Sequence, residues 1–273
     1  MPYMATRLGR WFYEERGAAK RTGDPAIVLL NGLLFDGGMW SGQVEALSAL
    51  GRVLAIDGPG HGKSELPPPF TLEDHGDALA DALVSMGIGR AIVIGHSWGG
   101  MVALRLAIRH AKLVQAIAAV DSSAAAEDRT NVIKYRAFVT FARRFGLPQW
   151  FVERQLARIL FGPRSLAEQP GLIPAFTRRV NGYSRDGLAR AAKAVVIYRK
   201  TIVPDLARIT TPTLVVCGRE DAATPPAKSE ELVRGIRGAK VEWVEAAGHM
   251  TPIERPAVVA EILAKFVREH LGA

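Results

Sequence analysis

Apolar residues along this chain come in two rhythms, short unbroken runs and longer stretches that recur every three or four positions. Ala26-Ile27-Val28-Leu29-Leu30, Ala91-Ile92-Val93-Ile94, Ala116 to Val120 and Thr213 to Val216 are short and rich in β-branched residues. Such runs predict strands buried on both faces. Arg52 to Asp57 and Lys240 to Val244 predict two more. Helical periodicity fills the intervals, over Gly42–Leu50, Thr71–Met86, Met101–Ile108 and Pro256 to about Leu271. Thr71 is a suitable N-cap with acidic residues in the first turn behind it, and Gly87 closes that helix. Strands alternating with helices specify an α/β fold built on a mostly parallel, doubly wound sheet.

The rhythm breaks between about Ala124 and Asp205. Strand patterns disappear there, and aromatic, Arg-rich helical stretches replace them, interrupted at Pro148, Pro163, Pro170 and Pro174. The expected organisation is a core of residues 1–123 and 206–273, with residues 124–205 inserted as a helical cap over the C-terminal strand edges. Charge follows the same division. The chain of 273 residues carries +8, with 35 Lys/Arg against 27 Asp/Glu. The insert holds 15 basic and 6 acidic residues, which leaves 20 against 21 elsewhere. The basicity therefore belongs to the insert, and no nucleic-acid motif accompanies it. Solvated helix faces are its plain reading; a weakly positive approach that draws in anionic substrates is the sharper one.

With 48% hydrophobic and 23% charged residues, and no apolar run near the roughly 18 residues of a membrane span, a globular chain without a membrane span is expected. The first residues lack the apolar region of a signal peptide, and a lone cysteine, Cys217, excludes an internal disulfide. Both fit a cytoplasmic setting. Cys217 ends a strand pattern and reads as a buried small hydrophobe.

The strongest chemical signal is Gly95-His96-Ser97-Trp98-Gly99, a G-x-S-x-G motif between a buried strand and a helix. So tight a turn needs glycine at 95 and 99, and it lifts the Ser97 hydroxyl to the top of the sheet. Serine is a weak nucleophile that needs a base, and the base needs an orienting anion. Two later loops, each directly after a strand, supply them in the order acid then histidine: Asp221 and His249. Asp121, also at a strand end, and Glu220 are the alternative acids. An oxyanion needs donors already in place; the Trp98 amide at the helix start is one, and the loop after the first buried strand offers Leu33, with Leu34 as the alternative. His61 and His96 lie in turns near the site and are expected to make structural hydrogen bonds. No histidine pair has metal-ligand spacing, so no metal is expected. Gly58-x-Gly60-x-Gly62 matches neither dinucleotide nor P-loop spacing and reads as a structural turn; no cofactor is expected.

The elbow, the segment Asp57-x-Pro59-Gly60-His61-Gly62-x-Ser64, the acid loop around Asp221 and Gly248-His249 together resemble the α/β-hydrolase fold family over essentially the whole chain. The resemblance implies an eight-stranded, mostly parallel sheet with a helical cap, and the roles named above for Ser97, Asp221, His249, Leu33 and Trp98. It also implies a small ester or lactone as substrate, cleaved through an acyl-enzyme. Where family members commonly read His-Gly, this chain reads Asn31-Gly32, which is similar to the family's enol-lactone hydrolases. Enol-lactone or C–C bond hydrolysis with the same triad is the alternative, and a catalytically silent binding module is the alternative of another class. Phe138, Phe141, Phe145, Trp150, Phe151, Phe161 and Tyr183 either line the substrate cavity or hold the cap together.

Overall fold

The alternation seen in sequence becomes a single sheet in a computed structural model, which describes residues 2–19, 21 and 23–271. Its strands are β1 (Tyr3–Thr6), β2 (Gly9–Arg16), β3 (Ala26–Leu30), β4 (Val53–Ile56), β5 (Ala91–His96), β6 (Val114–Val120), β7 (Thr213–Gly218) and β8 (Lys240–Val244). They lie in the order β1-β2-β4-β3-β5-β6-β7-β8. β2 runs antiparallel to its neighbours, and the pairs from β4 to β8 are parallel.

All five residues of β3 are buried, which accounts for its unbroken apolar run. Ile27 and Leu29 face one layer with Leu47 and Leu263, while Val28 and Leu30 face the other with Leu79 and Val102. Each fully buried aliphatic side chain of this kind contributes about 1.5–3 kcal/mol. The helix Leu72–Ser85 starts with a capping box, in which Thr71 and Asp74 satisfy each other's amides.

Two parts of the core lie outside the sequence expectation. The β1–β2 hairpin sits at the sheet edge, where only one face must be apolar, so Gly9–Arg16 buries Trp11 alone and reads as polar. The helix Pro226–Gly235 buries only Ser229 and Leu232, too thin a stripe to register as periodic.

Between β6 and β7 all regular structure among the described residues is helical, including Arg129–Phe145, Leu172–Gly182 and Arg185–Ala192. Pro174 does not interrupt the chain as its sequence position suggested. It occupies the first turn of Leu172–Gly182, where an amide has no helical acceptor to lose. This segment is fastened to the sheet's C-terminal edge at several points. Asp36 accepts from Arg179 (2.5 Å) and from the Tyr183 hydroxyl (2.7 Å). Gly60 and Gly187 pass so closely that a Cβ on Gly187 would lie 2.3 Å from the Gly60 carbonyl oxygen.

Candidate active site

Every sequence-selected residue of the site lies at or just beyond the C-terminal end of a parallel strand, where open α/β sheets gather their loops. β5 ends at His96, and the next residue, Ser97, holds φ 47° and ψ −109° before the helix Trp98–Arg109 begins. The turn is possible only because neighbours are bare. A Cβ on Gly95 would lie 2.2 Å from the Gly99 carbonyl carbon, and one on Gly99 would lie 2.5 Å from the Leu30 oxygen. Ser97 occupies the N-cap position, yet its side chain does not cap the helix. The backbone strain instead leaves the hydroxyl uncommitted, and the residue is 9% exposed. Its oxygen makes no hydrogen bond to His249 among the described residues.

His249 reaches Asp221 across two loops, with Nδ1 2.9 Å from Asp221 Oδ2. Asp221 also accepts the amides of Ala223 and Thr224 and the Thr224 hydroxyl, each at 2.8 Å. Burial pushes the Asp221 pKa up, but the His249 charge and these hydrogen bonds outweigh it, and the carboxyl stays below its ordinary range. Burial likewise pulls His249 down, and the Asp221 charge and hydrogen bond reverse this, holding the imidazole above its ordinary value. The pairing also sets the tautomer: Nδ1 carries a proton toward Asp221, and Nε2 keeps its lone pair.

The alternative acids go elsewhere. Asp121 Oδ1 accepts the Gly218 amide (3.0 Å), and Oδ2 accepts the Thr251 hydroxyl (2.6 Å), so it braces β7 and the His249 loop. Burial, then the neighbouring Asp221 charge, raises its pKa well above the ordinary range. Glu220 turns toward Gly162, where an added Cβ would lie 2.5 Å from Oε2. Asp121, Cys217 and Asp221 do gather within 4.8 Å, a cluster that spacing along the chain did not reveal. The carboxylate oxygens there are taken by the donors just named, and burial raises the Cys217 thiol to about 12.

The two candidate amides of the loop after β3 differ in their partners. Leu34, at φ 72°, donates to His61 Nε2 (3.2 Å), whose burial lowers the ring to about 4 and keeps it a neutral acceptor. The Leu33 amide has no acceptor among the described residues, and neither does the Trp98 amide at the helix start. Asn31 explains why asparagine suits this position. Its Nδ2 donates to the Gly32 (2.9 Å) and Phe35 (2.5 Å) carbonyls, and its Oδ1 accepts the Gly58 amide (2.7 Å). The glycine turn is structural in the way expected: Asp57 accepts the Gly37 and Lys63 amides, and a Cβ on Gly62 would strike Asp57 Oδ2 at 2.1 Å.

Sequence reasoning missed two residues that hold this arrangement. Thr224 has a faint signal, a hydroxyl three positions after the acid. Glu254 has none, although its buried carboxylate accepts the amides of Gly162 (2.8 Å), Gly248 (3.0 Å) and Met250 (3.0 Å). It thereby ties the His249 loop to the helical segment above. Glu254→Gln turns an amide NH2 toward those donors, and a drop in stability of about 2–4 kcal/mol is expected in thermal denaturation.

Beside the Leu33 loop opens a mostly apolar cavity of about 310 Å³. Phe138, Phe145 and Tyr183 line it together with Leu33 and Leu34, whereas Phe141, Trp150, Phe151 and Phe161 do not; Ser97 is not on its wall. Phe161 packs instead on Phe176.

Comparison with known proteins agrees with the fold. The profile of the alpha/beta hydrolase family matches residues 27–262. The chain is 29% identical over 256 residues to 3-oxoadipate enol-lactonase 1 of Acinetobacter baylyi, covering 89% of each. It superposes on the enol-lactonase of Burkholderia xenovorans LB400 with a TM-score of 0.88 and 29% identity, over 98% of this chain and 100% of that one. A thermophilic esterase from Thermogutta terrifontis gives 0.89 and 25%, over 98% of both. The chain belongs to the alpha/beta hydrolase family and is a hydrolytic enzyme.

Proposed function

We propose that the chain cleaves a small carboxylic ester or lactone through an acyl-enzyme on Ser97. His249 takes the Ser97 proton through Nε2 as the oxygen attacks the carbonyl carbon, then gives it to the leaving alcohol oxygen. A water repeats the sequence on the acyl-enzyme and frees the acid. Asp221 stabilises the imidazolium without taking its proton. The amides of Leu33 and Trp98 receive the oxyanion, each worth roughly 3–4 kcal/mol in the transition state. Residues 124–205 form the cap, and the apolar cavity beside Leu33 receives the acyl or alcohol chain.

The observation that carries this reading is the Asp221–His249 pair at 2.9 Å on the same sheet edge as a Ser97 held in a strained turn. The enol-lactonases among the similar proteins, together with Asn31, favour lactones within this class. A panel of aryl esters, aliphatic esters, lactones and carbamates of graded acyl length tests it. Turnover of an ester or lactone by wild type and not by Ser97→Ala is expected; a folded wild type inert to the whole panel would overturn it.

The cavity adds a specificity test. Ala142 lines it, so Ala142→Phe is expected to raise KM for long-chain esters about tenfold while acetate esters change less than about twofold. Equal effects on both, measured by steady-state kinetics, would move the chain-binding site elsewhere.

A further inference from the structure

Seven of the twelve large apolar side chains exposed among the described residues fall within residues 133–159: Ile133, Tyr135, Phe138, Phe141, Phe145, Trp150 and Ile159. Chance does not gather them there, since a monomer surface scatters such groups singly. Residues 129–160 also carry seven Lys/Arg and one acidic residue, Glu153. At 3.6 residues per turn, Ile133, Phe141 and Phe145 fall with Lys134 and Arg144 inside an arc of about 120° on the helix Arg129–Phe145. Phe141 and Phe145 touch at 5.0 Å between ring centroids, and the Arg144 guanidinium lies 5.5 Å from the Phe145 ring.

We infer that this face docks on an anionic phospholipid bilayer. The side chains suit an interface in which rings enter the acyl boundary while Lys and Arg remain among anionic headgroups. Charge excludes the simplest rival, a second copy of the chain, because a two-fold interface would set this basic patch against itself. Docking is peripheral, because no helix among the described residues is long and apolar enough to cross a membrane. Phe138 and Phe145 are exposed on this side and also line the cavity, so an apolar ester dissolved in the bilayer has a short route inward. Binding itself is independent of the Ser97 reading.

Cosedimentation with vesicles of phosphatidylcholine, alone or equimolar with phosphatidylglycerol, tests this on the full chain. Wild type and Ser97→Ala are expected to partition onto the anionic vesicles about tenfold more strongly than onto the neutral ones, and added salt is expected to weaken this. Ile133→Asp/Phe141→Asp and Lys134→Glu/Arg144→Glu are each expected to lower binding about tenfold, while melting temperature and turnover of a short soluble aryl ester stay as in wild type. Absent binding, equal binding to both vesicle types, or binding that survives both double variants would overturn the inference. A wild-type dimer in sedimentation equilibrium that these variants dissociate would overturn it too.

Discussion

Ser97→Ala is expected to lower kcat by at least about 10⁴-fold on any substrate the wild type turns over, with the melting temperature nearly unchanged. The stability half of this expectation follows from the elbow. The Ser97 hydroxyl does not cap the helix it precedes, so removing it costs no structural hydrogen bond. What holds the turn is backbone, with the Ser97 amide donating to the Val120 oxygen (2.8 Å) and the Ser122 hydroxyl donating to the Ser97 carbonyl (2.8 Å). Alanine keeps both. Steady-state kinetics paired with thermal denaturation checks the two halves together, and an active variant would remove the nucleophile from the scheme.

Asp221→Asn is expected to cost about 10⁴-fold in kcat and to move the pH profile in a defined direction. The base must be neutral, so kcat/KM falls as pH drops through the His249 pKa. In the wild type that pKa is held above the ordinary imidazole value, because the Asp221 charge and hydrogen bond overcome the opposing effect of burial. Asparagine removes the charge and leaves the burial, so the acid limb shifts to lower pH even as the plateau falls. The amide can also donate to Nδ1 and stabilise the unproductive tautomer. Asp121→Asn provides the contrast. It disturbs the Gly218 and Thr251 contacts and is expected to cost about 1–3 kcal/mol of stability, without a comparable loss of turnover. A pH–rate series on both variants separates the roles, and an Asp121→Asn enzyme as impaired as Asp221→Asn would exchange them.

What could be read from the sequence depended on how local each constraint was. The elbow was legible because its need for Gly95 and Gly99 is imposed by atoms a few residues away along the chain and by the adjacent strand. The central strands were legible because burial on both faces allows only apolar residues. Asp221 and His249 could be named because strand-end loops with an acid and a histidine are few, and the structure brings these two into contact. Leu33 was chosen over Leu34 without sight of His61, which lies 27 residues from Leu34 and accepts a hydrogen bond from its amide. Glu254 was invisible for the same reason, since its partners Gly162 and Gly248 meet it only in the folded chain. The aromatic residues of 138–183 could not be sorted by pattern, because ring type does not distinguish Phe145, on the cavity wall, from Phe161, packed on Phe176.

Treating the folded enzyme with a fluorophosphonate and mapping the adduct by peptide mass spectrometry identifies the nucleophile itself. One covalent phosphonate is expected on the oxygen of Ser97, absent from Ser97→Ala and formed far more slowly in Asp221→Asn. An enzyme that hydrolyses an ester of the panel yet carries no adduct, or carries it on another residue, would contradict it.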